Sequence, residues 1–129
     1  MRIFIILLLS LLLTHNTIAD NTSLRGNAEQ AEAAWPLIEE GALVIDVRSE
    51  EEYQAGHLPG AVNVPYEETE ALIELIGPDQ DRNVVLYCGS GRRAEAAQQS
   101  LEEASYTGVY NASGLDALLA TQGDEHDDP

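Results

Sequence analysis

The sequence of 129 residues predicts a single α/β domain with a mostly parallel central sheet flanked by helices. Two continuous apolar runs, Leu43-Val44-Ile45 and Val84-Val85-Leu86-Tyr87, are typical of strands that are buried on both faces of a parallel sheet. Segments with helical patterning lie between and after these runs. Strands that alternate with helices favour right-handed crossovers within one sheet, so one core of modest size is expected.

Residues 1–19 have the pattern of a secretory signal peptide. Arg2 precedes an apolar run that ends at Leu13, and small residues lead up to Ala19. The run is shorter than the roughly 20 apolar residues that a membrane-spanning helix needs. We therefore expect cleavage after Ala19, export to the periplasm and no stable membrane association afterwards. An N-terminal anchor that is not cleaved is the alternative.

Capping and turn residues predict the other elements in order. Asn27 caps a first helix that Gly41 ends, and Pro36 is expected either to kink this helix or to start a second short one. Ser49 and Glu52 have capping-box spacing and predict a short helix. The remaining predicted elements are a turn over 56–60, a strand over 61–64, a helix over 67–76, a helix over 93–104, a strand over 108–111 and a helix over 114–120.

Domain organisation and charge restrict the possible functions. We expect a polar segment with the start of the first helix at 20–34, the domain at 35–120 and an acidic disordered tail at 121–129. The formal net charge is −17, and such a surface repels nucleic acid and anionic lipid, which excludes nucleic-acid binding. His126 and the aspartates beside it lack a ligand-rich framework, so neither a metal nor a cofactor is expected.

Cys88 is the only cysteine, and it opens the loop Cys88-Gly89-Ser90-Gly91-Arg92-Arg93 directly after the second apolar run. Ligands of such sheets bind outside the carboxyl ends of the strands, which is where this loop falls. Backbone N–H groups, the N-terminus of the next helix and two arginines favour the reactive thiolate. The sequence thus predicts a free reactive thiol. An intermolecular disulfide or an inert buried cysteine are the alternatives.

Four groups of residues carry a resemblance to a known family. They are Asp46-Val47-Arg48, then Glu52 with Gly56-His57-Leu58-Pro59-Gly60-Ala61, then Tyr87-Cys88 with Gly91-Arg92, and finally Asn111-Ala112 with Gly114-Leu115. With these motifs in this order, the chain resembles a rhodanese-homology domain from about Trp35 to Leu119, and in particular the small exported single-domain rhodaneses.

The resemblance implies a sulfurtransferase in which Cys88 carries a persulfide. The sulfur donor would be thiosulfate or a persulfide, and the acceptor would be cyanide or a thiol. We expect a monomer that needs no cofactor. A thiolate that takes sulfur from one molecule and gives it to a second molecule implies a two-step, ping-pong reaction.

Site roles follow from the loop and from the resemblance. The expected substrate-binding residues are Gly89, Ser90, Gly91, Arg92 and Arg93. Arg92 is the stronger candidate for donor binding, whereas a salt bridge is the alternative role for both arginines. The resemblance implies that Asp46 and Arg48 support the loop through hydrogen bonds and an ion pair. His57 is expected to be a structural residue of its turn.

Three other functions remain open. The first is a non-enzymatic persulfide or redox carrier that delivers sulfur to a partner protein. The second is a phosphatase or arsenate reductase, but cysteine phosphatases need an arginine six positions after the cysteine, where this chain has Ala94. The shorter loop fits a single sulfur better than a tetrahedral anion. The third is an inactive binding module, which is not expected to keep Cys88.

Overall fold

The computed structural model describes residues 27–123, and it confirms the predicted α/β class. A four-stranded sheet has the order β2-β1-β3-β4, and all three strand pairs are parallel. The strands are β1 (Leu43–Asp46), β2 (Val62–Asn63), β3 (Val84–Cys88) and β4 (Val109–Gly114). The helices are α1 (27–32), α2 (Ala34–Glu39), α3 (Glu50–Ala55), α4 (Thr69–Ile76), α5 (Arg92–Glu103) and α6 (Leu115–Ala120).

Both ends of the chain lie outside the described residues. The predicted signal peptide at 1–19 and the acidic residues from 124 onward, with His126, belong to these ends. Within the described part of the chain, none of the helices has the length and apolar character needed to cross a membrane.

The two apolar runs form the centre of the sheet, as predicted. Ile45 pairs with Leu86, and Asp46 pairs with Tyr87, where β1 and β3 end side by side. Strand β3 is buried along its whole length because helices cover both faces of the sheet.

The two faces of the sheet pack against different helices. Successive residues of a strand point to opposite faces, so Tyr87 and Cys88 enter separate layers. The Cys88 layer contains Ile45, Val47, Leu72, Ile76, Val84, Leu86, Ala94, Ala97 and Leu101. The Tyr87 layer contains Ala31, Ala34, Val44, Leu58, Ala61, Val85, Ala112 and Leu118. Helices α4 and α5 therefore cover the thiol, whereas α1, α2, α6 and the 56–61 turn cover the tyrosine.

Several element boundaries differ from the prediction by one to three residues, and three of these differences bear on the core and the site. The second short helix expected at Pro36 is present, but it begins at Ala34, after a break at Ala33. Pro36 lies in its first turn, where a missing N–H costs no helical hydrogen bond. Strand β3 extends by one residue to include Cys88. Strand β4 continues to Gly114 because an irregularity in the ladder brings Gly114 opposite Cys88.

Candidate active site around Cys88

Cys88 is the last residue of β3, and its side chain is 0 % exposed. The sequence places this thiol at the start of the loop after the strand, and the structure places it one residue earlier, at the buried end of the strand itself. The residue still pairs in the sheet, and its side chain points into the layer under α4 and α5. The sulfur is not inertly packed, however, because the backbone N–H of Gly91 donates a hydrogen bond to Sγ over 2.9 Å.

The loop after Cys88 curls back over the sulfur. Gly91 has a φ of 95°, in the left-handed region that favours glycine, and it is the N-cap residue of α5. Asn111 on β4 holds this turn, since its Nδ2 donates to the Gly91 carbonyl over 3.0 Å and its Oδ1 accepts from the Ser113 N–H over 2.8 Å. Sequence analysis did not assign Asn111 a role, although the residue belongs to the motif that carries the resemblance.

Strand β4 also approaches the loop through its last residue. A Cβ added at Gly114 would lie 2.2 Å from the carbonyl oxygen of Gly89. Two backbones can approach this closely only where neither side chain intervenes. Gly114 therefore sets the distance between β4 and the loop that holds the thiol.

The two arginines of the loop have different surroundings. The guanidinium of Arg93 forms a bidentate ion pair with Glu52, with Nη1 to Oε1 at 2.8 Å and Nη2 to Oε2 at 3.1 Å. The hydrogen bonds to Glu52 raise the pKa of Arg93, and the nearby Cys88 raises it further. Arg92 is exposed and forms no ion pair within residues 27–123. The salt-bridge alternative therefore holds for Arg93.

Glu52 connects this ion pair to the start of α3. It completes the predicted capping box with Ser49, and the hydrogen bonds from Arg93 and then from Ser49 lower the pKa of Glu52 from 4.5 to about 2. Because the pKa of Glu52 is lower in the folded state, its carboxylate stabilises the fold at every pH above the ordinary pKa of 4.5. This stabilisation is lost as the pH falls through about 2. The Arg93–Glu52 pair is thus formed at neutral pH. No sequence signal revealed this pairing.

Asp46 and Arg48 form a buried ion pair on the opposite face of the sheet from Cys88. Arg48 Nη2 lies 2.7 Å from Asp46 Oδ2 and also donates to the Gly56 carbonyl over 2.7 Å. Apart from the bonds within the pair, its side chains donate to the Gly56 carbonyl, and within residues 27–123 none of their hydrogen bonds reaches the 88–93 loop. The resemblance implied that Asp46 and Arg48 support the 88–93 loop through their own hydrogen bonds. The structure shows instead that they contact this loop only indirectly.

Tyr87 provides that indirect link. The Arg48 guanidinium carbon lies 5.8 Å from the centre of the Tyr87 ring, and the phenol oxygen accepts the Leu58 N–H over 2.9 Å. Burial raises the pKa of Tyr87 well above its ordinary value. The ion pair and the turn thus hold the residue that immediately precedes Cys88. Tyr87 belongs to a predicted strand and to a motif that carries the resemblance, but no sequence signal revealed this linking role.

Removal of the Asp46 carboxylate is expected to destabilise the fold strongly. Asp46→Ala leaves the guanidinium of Arg48, whose side chain is 10 % exposed, without its buried partner. We expect a loss of about 3–5 kcal/mol in the free energy of unfolding, measured by urea denaturation. Asp116→Ala, at an exposed carboxylate on α6, is the control and should cost less than about 1 kcal/mol. Equal losses in the two variants would show that the buried pair has no special importance.

His57 lies in its turn as a structural residue. Its Nδ1 is 2.8 Å from the Tyr53 carbonyl oxygen, and the two rings stack with their centres 3.7 Å apart. Within residues 27–123, no group of three or more His, Cys, Asp or Glu side chains is arranged to hold a metal ion.

Three cavities adjoin the loop. The largest, of about 590 Å³, is lined by Ser90, Gly91 and Arg92 together with amides of α1, α5 and β4. A second, of about 370 Å³, lies between Gly89 and the start of α6. A third, of about 400 Å³, lies on the Arg93 side, where the loops that follow β1 and β2 meet α5.

The comparison with known families decides the identity of this domain. The family described as the rhodanese-like domain matches residues 30–115. The chain belongs to the rhodanese-like family. It is 44% identical over 71 residues to the thiosulfate sulfurtransferase PspE of Escherichia coli, which corresponds to 55% of this chain and 68% of that protein. The match also confirms the resemblance drawn from the motifs.

Solved structures of rhodanese-like domains share the fold. An E. coli rhodanese with anions has a TM-score of 0.56 and 40% identity, over 60% of this chain and 91% of that chain. A human single-domain sulfurtransferase has a TM-score of 0.58 and 30% identity, over 72% of this chain and 93% of that chain. Rhodanese-like domains also occur in other enzymes: the tRNA uridine(34) hydroxylase of Sodalis glossinidius is 31% identical over 77 residues, but the match spans only 22% of its length.

This rhodanese-like domain offers a single sulfur atom beneath a loop of small residues. The loop supplies a backbone donor at 2.9 Å from that sulfur, and the N-terminus of the twelve-residue helix α5 follows directly. Such an end carries a partial positive charge, which favours an anion on or near Sγ. The site can therefore bind and stabilise a negatively charged sulfur.

Proposed function

We propose that the protein is a sulfurtransferase in which Cys88 carries a sulfane sulfur from thiosulfate or a persulfide to cyanide or a thiol. The hydrogen bond from the Gly91 N–H to Cys88 Sγ is the observation that carries this proposal. The identity with a thiosulfate sulfurtransferase over 68% of that protein supports it.

The reaction balances as two displacements at sulfur. The Cys88 thiolate attacks the outer sulfur of thiosulfate, a new S–S bond forms, and the old S–S bond breaks with its electron pair leaving on sulfite. The acceptor then attacks the outer sulfur of the persulfide. When the acceptor is cyanide, a C–S bond forms, thiocyanate leaves, and the Cys88 thiolate is restored. Neither step needs an external oxidant or reductant, and the order is ping-pong.

The loop residues have distinct roles in this scheme. The Gly91 N–H donates to the Cys88 sulfur and stabilises the negative charge of the persulfide, as preorganised donors do in other anionic intermediates, and Gly89 and Ser90 form the rest of the loop that binds the donor. Arg92, which is exposed, attracts the dianionic donor against the net charge of −17. Arg93 holds the loop against α3 through Glu52. Asp46 and Arg48 act from the other face as support.

The arrangement of the first turn of α5 disfavours a phosphatase. Ala94, at the sixth position after the cysteine, is fully buried and packs in the layer of Cys88. A side chain at this position faces the core rather than a bound phosphate. Release of phosphate from a generic phosphoester would contradict this interpretation.

Turnover distinguishes the enzyme from a carrier. We expect the purified protein to convert thiosulfate and cyanide to thiocyanate over many cycles, measured colorimetrically as the iron complex. A burst of one thiocyanate per protein without further turnover would instead favour the persulfide carrier that delivers sulfur to a partner. No thiocyanate at all would contradict both functions.

Removal of the Arg92 charge should weaken the use of thiosulfate. Arg92→Ala is expected to lower kcat/KM for thiosulfate by about tenfold at low ionic strength, because the dianion loses its unpaired cation. Arg92→Lys should retain most of the activity, since a long-range attraction depends on charge. If Arg93→Ala causes an equal loss that is also independent of salt, Arg92 has no distinct role in donor attraction.

We further propose that residues 1–19 direct export to the periplasm. The apolar run after Arg2 supports this proposal. The intact mass of the protein isolated from a periplasmic fraction should correspond to a chain that begins at Asp20. A mass that includes Met1 would contradict cleavage.

A further inference from the structure

The cavity of about 370 Å³ between the loop after β3 and helix α6 has a mostly apolar wall. Ala28, Ala117 and Ala120 contribute methyl groups, and Gly89 and Gly114 contribute backbone. Among the described residues that line it, none carries a positive charge. We refer to this space as the α6 cavity. Its wall fits a compact, uncharged carbon chain better than a dianion.

Ser113 places one buried hydroxyl in this wall. The residue lines the α6 cavity and is only 2 % exposed. Its backbone N–H donates to Asn111, but within residues 27–123 its hydroxyl forms no hydrogen bond. A buried hydroxyl without a partner costs folding free energy, so such groups are rare in native structures and usually have a further partner. The Ser113 hydroxyl is therefore available to a molecule that enters the cavity.

This hydroxyl lies close to the residue that holds the sulfur. Gly91 donates its N–H to Cys88 Sγ over 2.9 Å, and a Cβ added at Gly91 would lie 3.4 Å from Ser113 Oγ. Gly114, the next residue of β4, pairs with Cys88 at the end of the sheet. A small molecule that reacts at Cys88 can therefore reach Ser113 with an atom only a few bonds from its reacting sulfur.

The larger cavity beside the loop has a different character. Its wall contains the exposed cation of Arg92 together with several side-chain amides, which suit the anionic donor. The two cavities share Asn27 and Ser90. The anionic donor and an organic acceptor are thus expected to use different sides of the same loop.

We propose that the α6 cavity binds the carbon chain of an acceptor thiol, and that the Ser113 hydroxyl forms a hydrogen bond with an uncharged oxygen close to the acceptor sulfur. This proposal rests on the sulfur-transfer function proposed above. The acceptor thiolate attacks the outer sulfur of the Cys88 persulfide, a new S–S bond forms, and the Cys88 thiolate leaves with the electron pair of the old bond. Ser113 contacts the acceptor rather than the reacting sulfur, so its role is specificity.

A cycle of two acceptors and two proteins tests the proposal. The thiols 2-mercaptoethanol and 1-propanethiol have the same chain length, but only the first carries a hydroxyl. Their kcat/KM values are measured as sulfite release at saturating thiosulfate, so that each reports transfer to the acceptor in the ping-pong reaction. Comparison of the ratio between proteins cancels the intrinsic reactivity of each thiol. We expect Ser113→Ala to lower the preference for 2-mercaptoethanol about three- to tenfold, which corresponds to the loss of one hydrogen bond.

Ser105 provides the matched control. Its φ of 75° resembles the φ of 77° at Ser113, but Ser105 is exposed beyond the end of α5. Ser105→Ala should keep the wild-type ratio. Ser113→Gly, which removes the hydroxyl and also suits the left-handed φ, should show the same ratio as Ser113→Ala.

The outcomes separate the subsite from the function on which it rests. An unchanged ratio in either Ser113 variant, or an equal fall in Ser105→Ala, would overturn the role of Ser113 while the wild-type protein still transfers sulfur. Failure of the wild-type protein to transfer sulfur to any acceptor, cyanide included, would contradict the proposed function itself.

Discussion

Cys88→Ser is expected to abolish thiocyanate formation, with turnover reduced by at least about three orders of magnitude. A serine hydroxyl is a far weaker nucleophile than a thiolate and cannot carry a sulfane sulfur under these conditions. The measurement is the rate of thiocyanate release from thiosulfate and cyanide at saturating donor. The substitution is nearly isosteric at a buried position, so the fold should persist.

Two controls establish that the loss is chemical. The thermal unfolding midpoint and the circular dichroism spectrum of Cys88→Ser should stay close to those of the wild type. Cys88→Ala, which lacks any hydroxyl at this position, should be equally inactive. If the folded serine variant retained a tenth of the wild-type rate, Cys88 would not be the sulfur carrier.

Gly114→Ala is expected to lower the activity of the protein by more than the loss of folded protein explains. The added Cβ would lie 2.2 Å from the Gly89 carbonyl oxygen, so either β4 or the Cys88 loop must move. Such crowding costs about 1–3 kcal/mol of folding free energy. A shift of the loop by about 1 Å can also cost about 100-fold in rate, because the Gly91 N–H no longer points at the sulfur. The measurement is kcat/KM per folded molecule.

Gly108→Ala is the matched control for this prediction. Its Cβ would lie 2.3 Å from the Arg82 carbonyl oxygen, at the opposite end of the sheet from Cys88. We expect a similar loss of stability in urea denaturation, but activity per folded molecule close to that of the wild type. Should the two variants show the same activity per folded molecule, Gly114 would matter for stability only.

The sequence predicted the sheet and the place of the thiol because these depend on local patterns. Continuous apolar runs define β1 and β3, and the capping box of Ser49 and Glu52 defines the start of α3. The carboxyl-edge rule for parallel sheets then placed Cys88 at a functional edge. Each of these inferences needs only residues that are close in sequence and the repeat of side-chain direction, which is two residues in a strand and 3.6 residues in a helix.

The features that the sequence missed depend on contacts between distant segments. The Arg93–Glu52 pair joins residues 41 positions apart, and no local pattern predicts which acid an arginine will meet. The burial of Cys88 depends on how α4 and α5 cover its face of the sheet. The extension of β4 to Gly114 follows from its pairing with β3, since the run Asn111-Ala112-Ser113-Gly114 has low strand propensity.

The resemblance predicted the ion pair between Asp46 and Arg48, but it did not predict which other residues this pair contacts. The ion pair forms, but its remaining hydrogen bond goes to Gly56. Its effect on Cys88 passes through the neighbouring Tyr87 on the other face of the sheet. Residues that alternate along a strand can therefore belong to one site while they pack in separate layers.

The central claim is that Cys88 carries a sulfane sulfur, and intact-mass measurement tests it most directly. After treatment with thiosulfate and removal of the excess, the protein should be heavier by one sulfur atom. Peptide mapping should place this atom on Cys88, and cyanide should remove it. An added sulfur that persists in Cys88→Ser, or no added sulfur in the wild-type protein under conditions in which thiocyanate forms, would contradict the claim.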